Sequence, residues 1–176
     1  MNLRKIILLL LAGGFLLLVG CIALAVFIKP YIWRSDPTIA DYDKAIELNP
    51  NDAMAYYERG GLFRVSGDYK QAIADYTKVI ELEPDDDHTH AAYIYRGRCY
   101  LDTGNYDQAL ADYDKLIELD PDDGYAYYDR GFAYYEMGEL DQAISDFEKY
   151  LELIPWAPER EDMISLVEQL KSELEP

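Results

Sequence analysis

The residues of this chain that could bind a metal are concentrated in one short stretch. Both histidines of the 176-residue sequence lie in Asp85–His90, which reads DDDHTH. Imidazole and carboxylate groups are ligands that zinc and other divalent metals use in proteins. The alternative is a solvated turn in which an Asp or Thr caps the next helix. Because no third or fourth ligand is evident in the neighbouring sequence, we expect the turn and no metal site.

The other ionisable residues do not form the patterns that enzymes use. The sequence has no glycine-rich phosphate loop and no nucleophile elbow. The many carboxylates fall on polar helix faces and in turns, where catalysis by a pair of carboxylates is not expected. We therefore predict that the protein is not an enzyme, with no catalytic residue, no cofactor and no small-molecule substrate.

The formal net charge of −18 at pH 7 is unevenly distributed along the chain. Residues 1–35 contain four basic residues and no acidic one, so the remainder carries −22. Such an acidic domain would repel a phosphate backbone, and we expect no binding to nucleic acid. Electrostatic steering would favour a protein or peptide partner with basic flanks. Two cysteines, Cys21 and Cys99, do not make a disulfide framework.

An 18-residue pattern recurs along the chain and defines the elements that carry these charges. Gly67–Pro84 and Gly104–Pro121 are identical at 12 of 18 positions. Gly138–Pro155 is a looser copy, and Ile39–Pro50 is a shortened one. The terminal prolines of the four copies are 34, 37 and 34 residues apart. A fixed period of this size is typical of stacked structural repeats.

Each complete unit contains two amphipathic helical patterns separated by a glycine, namely Gly67, Gly104 or Gly138. Glycine at these breaks suits the left-handed turn that ends a helix. The sequence thus predicts three helical hairpins, at residues 53–86, 90–123 and 124–157. A half repeat at residues 37–50 precedes them, with Asp36 as its N-cap and Pro37 as its first helical residue.

Six positions of the repeat hold the same kind of residue in all three complete units. They are the aromatics Tyr56, Tyr93 and Tyr127; the glycines Gly60, Gly97 and Gly131; the aromatics Phe63, Tyr100 and Tyr134; the alanines Ala72, Ala109 and Ala143; the aromatics Tyr76, Tyr113 and Phe147; and the prolines Pro84, Pro121 and Pro155. This pattern, over Pro37–Pro155, resembles the tetratricopeptide repeat family. The resemblance implies an all-α solenoid of helical hairpins, spanning residues 37–158.

The units depart from the family pattern at two positions. Arginine stands where the family has leucine before the first glycine, at Arg59, Arg96 and Arg130. Aspartate occupies one position of each second helix, at Asp41, Asp75, Asp112 and Asp146. A charge at an apolar position needs a partner, so we predict an Arg–Asp pair in each hairpin. The aspartate could belong to the same repeat or to the preceding one. The alternative is that the arginines reach solvent along their stems.

The pattern stops after Pro155, and residues 159–176 form a different amphipathic helix. One face of this helix is apolar, with Met163, Leu166, Val167, Leu170 and Leu174. Repeat arrays need a terminal unit with a polar outer surface. We predict that this helix caps the last hairpin.

The N-terminal residues 1–28 are predicted to be a membrane anchor, followed by a linker at residues 29–36. Ile6–Ile28 has no charged residue and is long enough to cross a bilayer as a single transmembrane helix. Leu18–Cys21 resembles a lipobox, so acylation of Cys21 is the alternative anchor. Basic residues flank the span on both sides, and its short N-terminal tail favours repeats outside the cytoplasm.

The family resemblance implies a scaffold that binds a protein or peptide partner in a concave groove. By the same resemblance, these residues of the first helices are expected to face the groove: Tyr57, Arg64, Ile94, Arg98, Leu101, Tyr125, Tyr128, Phe132 and Tyr135. The clamp with which some members hold a C-terminal carboxylate is not present at its expected positions. We expect an apolar or aromatic-bearing segment across the third repeat; the alternative is that the rings pack against one another or the C-terminal helix. A second functional alternative is a structural subunit or assembly factor of a membrane complex without a peptide ligand.

Overall fold

The computed structural model describes residues 36–83 and 87–174. This part of the chain contains eight α-helices and no β-strand. The helices are α1 (Ile39–Leu48), α2 (Ala53–Ser66), α3 (Tyr69–Leu82), α4 (Asp87–Asp102), α5 (Tyr106–Leu119), α6 (Gly124–Met137), α7 (Leu140–Leu153) and α8 (Arg160–Leu174). The chain divides after Pro37 into two units, and all eight helices belong to the second, Thr38–Pro176. The prediction of an all-α repeat fold is confirmed for the described residues.

Helices α2 to α7 form three antiparallel hairpins, α2–α3, α4–α5 and α6–α7, and every helix contacts the next one along the chain. The first helices of neighbouring hairpins also contact each other, α2 with α4 and α4 with α6. The second helices of the described hairpins make no such contacts. The first helices therefore lie closer together and line the inner surface of the stack.

Small residues allow the two helices of a hairpin to approach closely. A Cβ atom added to Gly97 would lie 2.6 Å from Cε1 of Tyr113, a distance that the packed ring does not allow. The turn between the helices uses glycine for another reason, since Gly67, Gly104 and Gly138 adopt φ values of 74–82°. These left-handed conformations are favourable for glycine and costly for other residues.

The core of the described residues consists of three clusters along the hairpins and is built largely from the recurring alanine and aromatic positions. Tyr76, Tyr113 and Phe147 are each at most 1% exposed, as are the alanines that precede them by four residues. In α1 the equivalent tyrosine, Tyr42, is only partly buried, and no residue of α1 is fully buried. The described chain contains no first helix to pair with α1, so α1 packs on one side only, against α2.

The start of α1 differs from the sequence prediction. The helix begins at Ile39, and Thr38 is its N-cap in place of Asp36. The backbone N and Oγ1 of Thr38 donate hydrogen bonds to Oδ2 of Asp41 at 2.9 and 2.7 Å. Asp41 thus caps the helix start, as acidic residues in the first turn often do. Among the described residues Asp41 has no arginine partner, unlike its counterparts in the complete repeats.

The predicted solvated turn at Asp85–His90 is also different in the structure. Residues from Asp87 onward form the first turn of α4, and the side chain of Thr89 is 1% exposed. The Thr89 hydroxyl donates a hydrogen bond to the carbonyl oxygen of Glu83. Nε2 of His90 lies 3.2 Å from Oδ2 of Asp123. The expected absence of a metal site rests on the sequence alone; among the described residues no group of His, Cys, Asp or Glu could hold a metal ion.

Helix α8 covers the end of the third hairpin. Met163, Val167 and Leu170 are at most 5% exposed and share a core cluster with Phe147 and Tyr150 of α7. Leu166 packs against the edge of this cluster. Leu174 differs from the prediction because it is 45% exposed at the end of the helix. The capping role predicted for this helix agrees with these contacts.

The predicted transmembrane segment, residues 6–28, lies outside the described residues. Within residues 36–83 and 87–174, no helix combines the length and the apolar character that crossing a membrane requires.

Candidate binding groove

An open cavity of about 380 Å³ lies on the inner surface formed by the first helices. Its lining comes from all three of them, with Arg64 from α2, three residues of α4 and three of α6. The complete lining is Arg64, Arg98, Leu101, Asp102, Tyr128, Asp129 and Phe132. The cavity combines an apolar wall with charged groups of both signs, a composition that suits recognition of a peptide side chain.

One pair of these charges is neutralised within the protein. Nε of Arg98 donates a hydrogen bond to Oδ2 of Asp129 at 2.9 Å, and the same oxygen lies 2.9 Å from Nη2. The Asp129 side chain is 9% exposed, while that of Arg98 is 41% exposed. Burial raises the pKa of the Asp129 carboxyl, and the nearby positive charge of Arg98 opposes that rise. This ion pair links the second hairpin to the third across the floor of the groove.

The second arginine of the cavity, Arg64, is held by aromatic groups. Its guanidinium carbon lies 4.9 Å from the ring centroid of Tyr95, within the range of a cation–π contact. Burial raises the pKa of Tyr76 to about 12, and the neighbouring Arg64 partly opposes this rise. Nε of Arg64 is buried and has no hydrogen-bond partner among the described residues.

Arg64 lies next to a cluster of aromatic rings. Tyr57, Tyr76 and Tyr95 have ring centroids 5.8–6.2 Å apart, and the ring of His88 lies 5.7 Å from that of Tyr57. Tyr76 is fully buried, whereas Tyr57 and Tyr95 are partly buried. Within this cluster the Tyr95 ring offers a flat apolar surface on which the Arg64 guanidinium rests.

The apolar wall of the cavity is formed by α6, the first helix of the third hairpin. The rings of Tyr128 and Phe132 are 4.9 Å apart, and Phe132 lies 5.1 Å from the buried Phe147. Tyr128 also contacts Tyr150, with a centroid distance of 4.9 Å. Both rings pack partly on the core that α7 and α8 share, and both still line the cavity. The two interpretations of these rings, as core and as groove surface, therefore both apply.

The structure brings together five of the nine predicted groove residues at this cavity: Arg64, Arg98, Leu101, Tyr128 and Phe132. Tyr57 belongs to the aromatic cluster beside the cavity. Ile94 packs against the core cluster formed by buried residues of α5 and α6. Tyr125 and Tyr135 are 45% and 38% exposed and do not line the cavity. Asp102, which does line it, is not among the predicted groove residues because the sequence marks it only as the polar end of a helix.

The orientation of the groove helices is fixed by arginines on their opposite side. The predicted Arg–Asp pairs are confirmed within each hairpin: Arg59 with Asp75, Arg96 with Asp112, and Arg130 with Asp146. In each pair Nε and Nη2 contact the two carboxylate oxygens at 2.6–2.9 Å. Nη1 reaches the preceding second helix, at Asp43, Thr77 or Asp114. One arginine thus joins three helices.

Comparison with known proteins agrees with this geometry. Two family models, each described as tetratricopeptide repeat, match residues 51–122 and 96–171. The chain contains tetratricopeptide repeats. Helices α2, α4 and α6 are the first helices of these repeats, and α3, α5 and α7 are the second. No curated protein matches the sequence.

Three solved structures of other proteins are similar to this chain. The first such domain of Spaghetti (RPAP3), bound to the HSP90 peptide SRMEEVD, has 26% identity and a TM-score of 0.61, covering 68% of this chain and 93% of that one. The second domain of human RPAP3, in complex with the HSP70 peptide SGPTIEEVD, has 29% identity and a TM-score of 0.58, covering 66% and 94%. MamA has 25% identity and a TM-score of 0.68, covering 76% and 77%.

Proposed function

We propose that this protein is a non-enzymatic scaffold whose tetratricopeptide repeats bind a segment of a partner protein in the groove of the first helices. The observation that carries this proposal is the cavity lined by all three first helices, with Tyr128 and Phe132 on one side and Arg64 on the other. Two similar structures hold peptides, which supports a peptide as the kind of ligand.

The partner segment is apolar or aromatic-bearing and has basic flanks. The apolar part matches the partly exposed rings of the third repeat, since rings offer a large contact area at a low entropic cost. The flanks follow from the charge of the domain, because a chain with −18 overall attracts basic groups and repels acidic tracts.

Affinity capture with the full chain tests this proposal. A chain with Tyr128→Ala and Tyr135→Ala should lose about 2 kcal/mol of affinity for the captured partner, or roughly 30-fold, if these rings are binding hot spots. Trp156→Ala is the matched control, since Trp156 is a 78% exposed aromatic residue outside the groove. A double variant that binds the partner as tightly as the parent would place the binding site elsewhere.

We further propose that residues 6–28 anchor this scaffold in a membrane, with the repeats outside the cytoplasm. The support is the uncharged 23-residue run and its basic flanks. The full chain should remain in membranes after alkaline extraction, and a chain without residues 1–35 should be released. Cys21→Ala should change neither property. Incorporation of labelled fatty acid that depends on Cys21 would favour the lipoprotein alternative, and protease added outside the cytoplasmic membrane should digest the repeats.

A further inference from the structure

Arg64 differs from the other arginines of the three repeats because it has no carboxylate partner. The other four, Arg59, Arg96, Arg98 and Arg130, each contact a carboxylate at 2.6–2.9 Å. Among the described residues, no carboxylate oxygen lies within 4.0 Å of an Arg64 nitrogen, and its Nε is buried without a hydrogen bond. A partly buried cation without a counter-charge is costly, so a guanidinium left with only aromatic neighbours in so acidic a chain points to a carboxylate that is supplied from outside.

The position of Arg64 makes it accessible to a ligand in the groove. Its guanidinium rests on the Tyr95 ring at 4.9 Å and lines the same cavity as Tyr128 and Phe132. A guanidinium held in this way loses little freedom when it binds a carboxylate, and its planar donors match the two carboxylate oxygens. The cavity thus combines the Arg64 guanidinium, which has no carboxylate partner among the described residues, with the apolar wall of Tyr128 and Phe132.

The other charges of the cavity limit how acidic the ligand can be. Asp129 already neutralises Arg98, and Asp102 adds an exposed negative charge at the rim. A run of acidic residues would be repelled by these two carboxylates, whereas a single carboxylate gains a charge-assisted contact with Arg64 that offsets this repulsion.

We propose that the occupant of this groove is a peptide segment with a single Asp or Glu side chain next to an apolar or aromatic residue. The carboxylate accepts hydrogen bonds from the Arg64 guanidinium, and the neighbouring side chain packs on Tyr128 and Phe132. This assignment rests on the proposed function, since it specifies the ligand of the same groove.

Selection from a random-peptide phage library on the full chain, purified in mild detergent, tests the assignment. The peptides retained by the parent and lost by the Tyr128→Ala and Tyr135→Ala double variant define the groove ligands. We expect these ligands to share one acidic residue at a fixed distance from an aromatic or branched apolar residue.

Binding of the selected peptides to arginine variants then identifies the contact. Arg64→Gln should weaken binding about 10- to 100-fold, the loss expected for a charge-assisted pair. Arg64→Lys keeps a cation and an aliphatic stem and should therefore retain more affinity than Arg64→Gln. This comparison separates the loss of the charge from any disturbance of the packing on Tyr95. Lys70→Gln is the matched control, because Lys70 is an exposed cation of α3 outside the cavity and its loss should leave binding unchanged.

A charge exchange completes the test. A peptide whose acidic residue is replaced by Lys should bind the Arg64→Glu variant better than it binds the parent. If the groove ligands have no shared acidic residue, or bind Arg64→Gln as tightly as the parent, the assignment of the ligand is wrong while the groove stays the binding site. If the double variant retains every peptide that the parent selects, no groove ligand exists and the proposed function itself is wrong.

Discussion

At the scale of single residues, one arginine in each first helix connects the two helices of its hairpin through an ion pair with an aspartate of the second helix. The side chains of Arg96 and Asp112 are 15% and 5% exposed, and their paired contacts are 2.6 and 2.9 Å long. The third contact, from Nη1 of Arg96 to Thr77, connects the hairpin to its neighbour. Because these groups lie away from the cavity, their contribution is to stability and to the spacing of the groove helices.

Removal of one member of this pair should therefore destabilise the whole array. In Asp112→Ala the largely buried guanidinium of Arg96 loses the counter-charge of a buried carboxylate, and we expect a loss of about 3 kcal/mol in the free energy of unfolding. Urea denaturation followed by circular dichroism measures the loss. Glu168→Ala removes an exposed carboxylate of α8 and should change the stability by less than about 0.5 kcal/mol. Equal stabilities of the two variants would show that the pair is not energetically important.

The buried tyrosines predict a loss of stability in alkaline solution. Burial raises the pKa of Tyr76 from 10.0 to about 12, and burial also raises the pKa values of Tyr113 and Tyr150. The unfolded chain therefore releases these protons near pH 10, whereas the folded chain retains them. The free energy of unfolding is unaffected by these groups below pH 10 and falls as the pH rises from 10 to 12.

Tyr76 alone should account for about 2–3 kcal/mol of this loss. Urea denaturation at a series of pH values, with tyrosinate absorbance recorded in parallel, measures it. Tyr76→Phe should reduce the dependence on pH, since it removes the ionisable hydroxyl. A free energy of unfolding that stays constant between pH 10 and 12 would contradict the buried positions of these hydroxyls.

At the scale of elements, α8 covers an apolar surface of the third hairpin that would otherwise be exposed. Leu170 is 1% exposed and contributes to the core that α7 and α8 share. Leu170→Ala should lower the free energy of unfolding by about 2–5 kcal/mol, the usual range for such a cavity in a core. Leu174→Ala changes the same residue type in the same helix at a 45% exposed position and should have little effect.

Thermal unfolding of both variants, together with light scattering, measures these effects. We expect Leu170→Ala to unfold at a lower temperature and Leu174→Ala to resemble the parent. Similar melting temperatures for the two variants would mean that α8 does not act as a cap.

The helical hairpins could be predicted from the sequence because each carries several independent local signals. The glycine at each turn, the alternation of small and aromatic residues and the fixed period all act within one repeat. The errors occur where a local choice depends on neighbours. Asp36 and Thr38 are both acceptable caps, and only the position of Asp41 favours Thr38. In the segment Asp87–His90, the burial of Thr89 outweighs the turn-like sequence.

At the scale of the whole molecule, the groove depends on how successive repeats are stacked. The family resemblance implies which faces of the first helices turn inward, and five of the residues predicted on that basis, Arg64, Arg98, Leu101, Tyr128 and Phe132, line the cavity. It does not give the distances between residues of different repeats, so the pairing of Arg98 with Asp129 and the exposure of Tyr135 required the structure. That Arg64 has no carboxylate partner among the described residues could likewise be learned only from the structure.

Site-specific photo-crosslinking in cells tests most directly the central claim that a partner lies in the groove. A photoreactive residue at Asp102, at the rim of the cavity, should form a cross-link to the partner. The same residue at Glu118, an exposed acidic position near the end of second helix α5, serves as the matched control and should form none. Cross-links to the partner from the photoreactive residue at position 118, with none from position 102, would contradict the account. They would place the partner on the outer surface of the repeats.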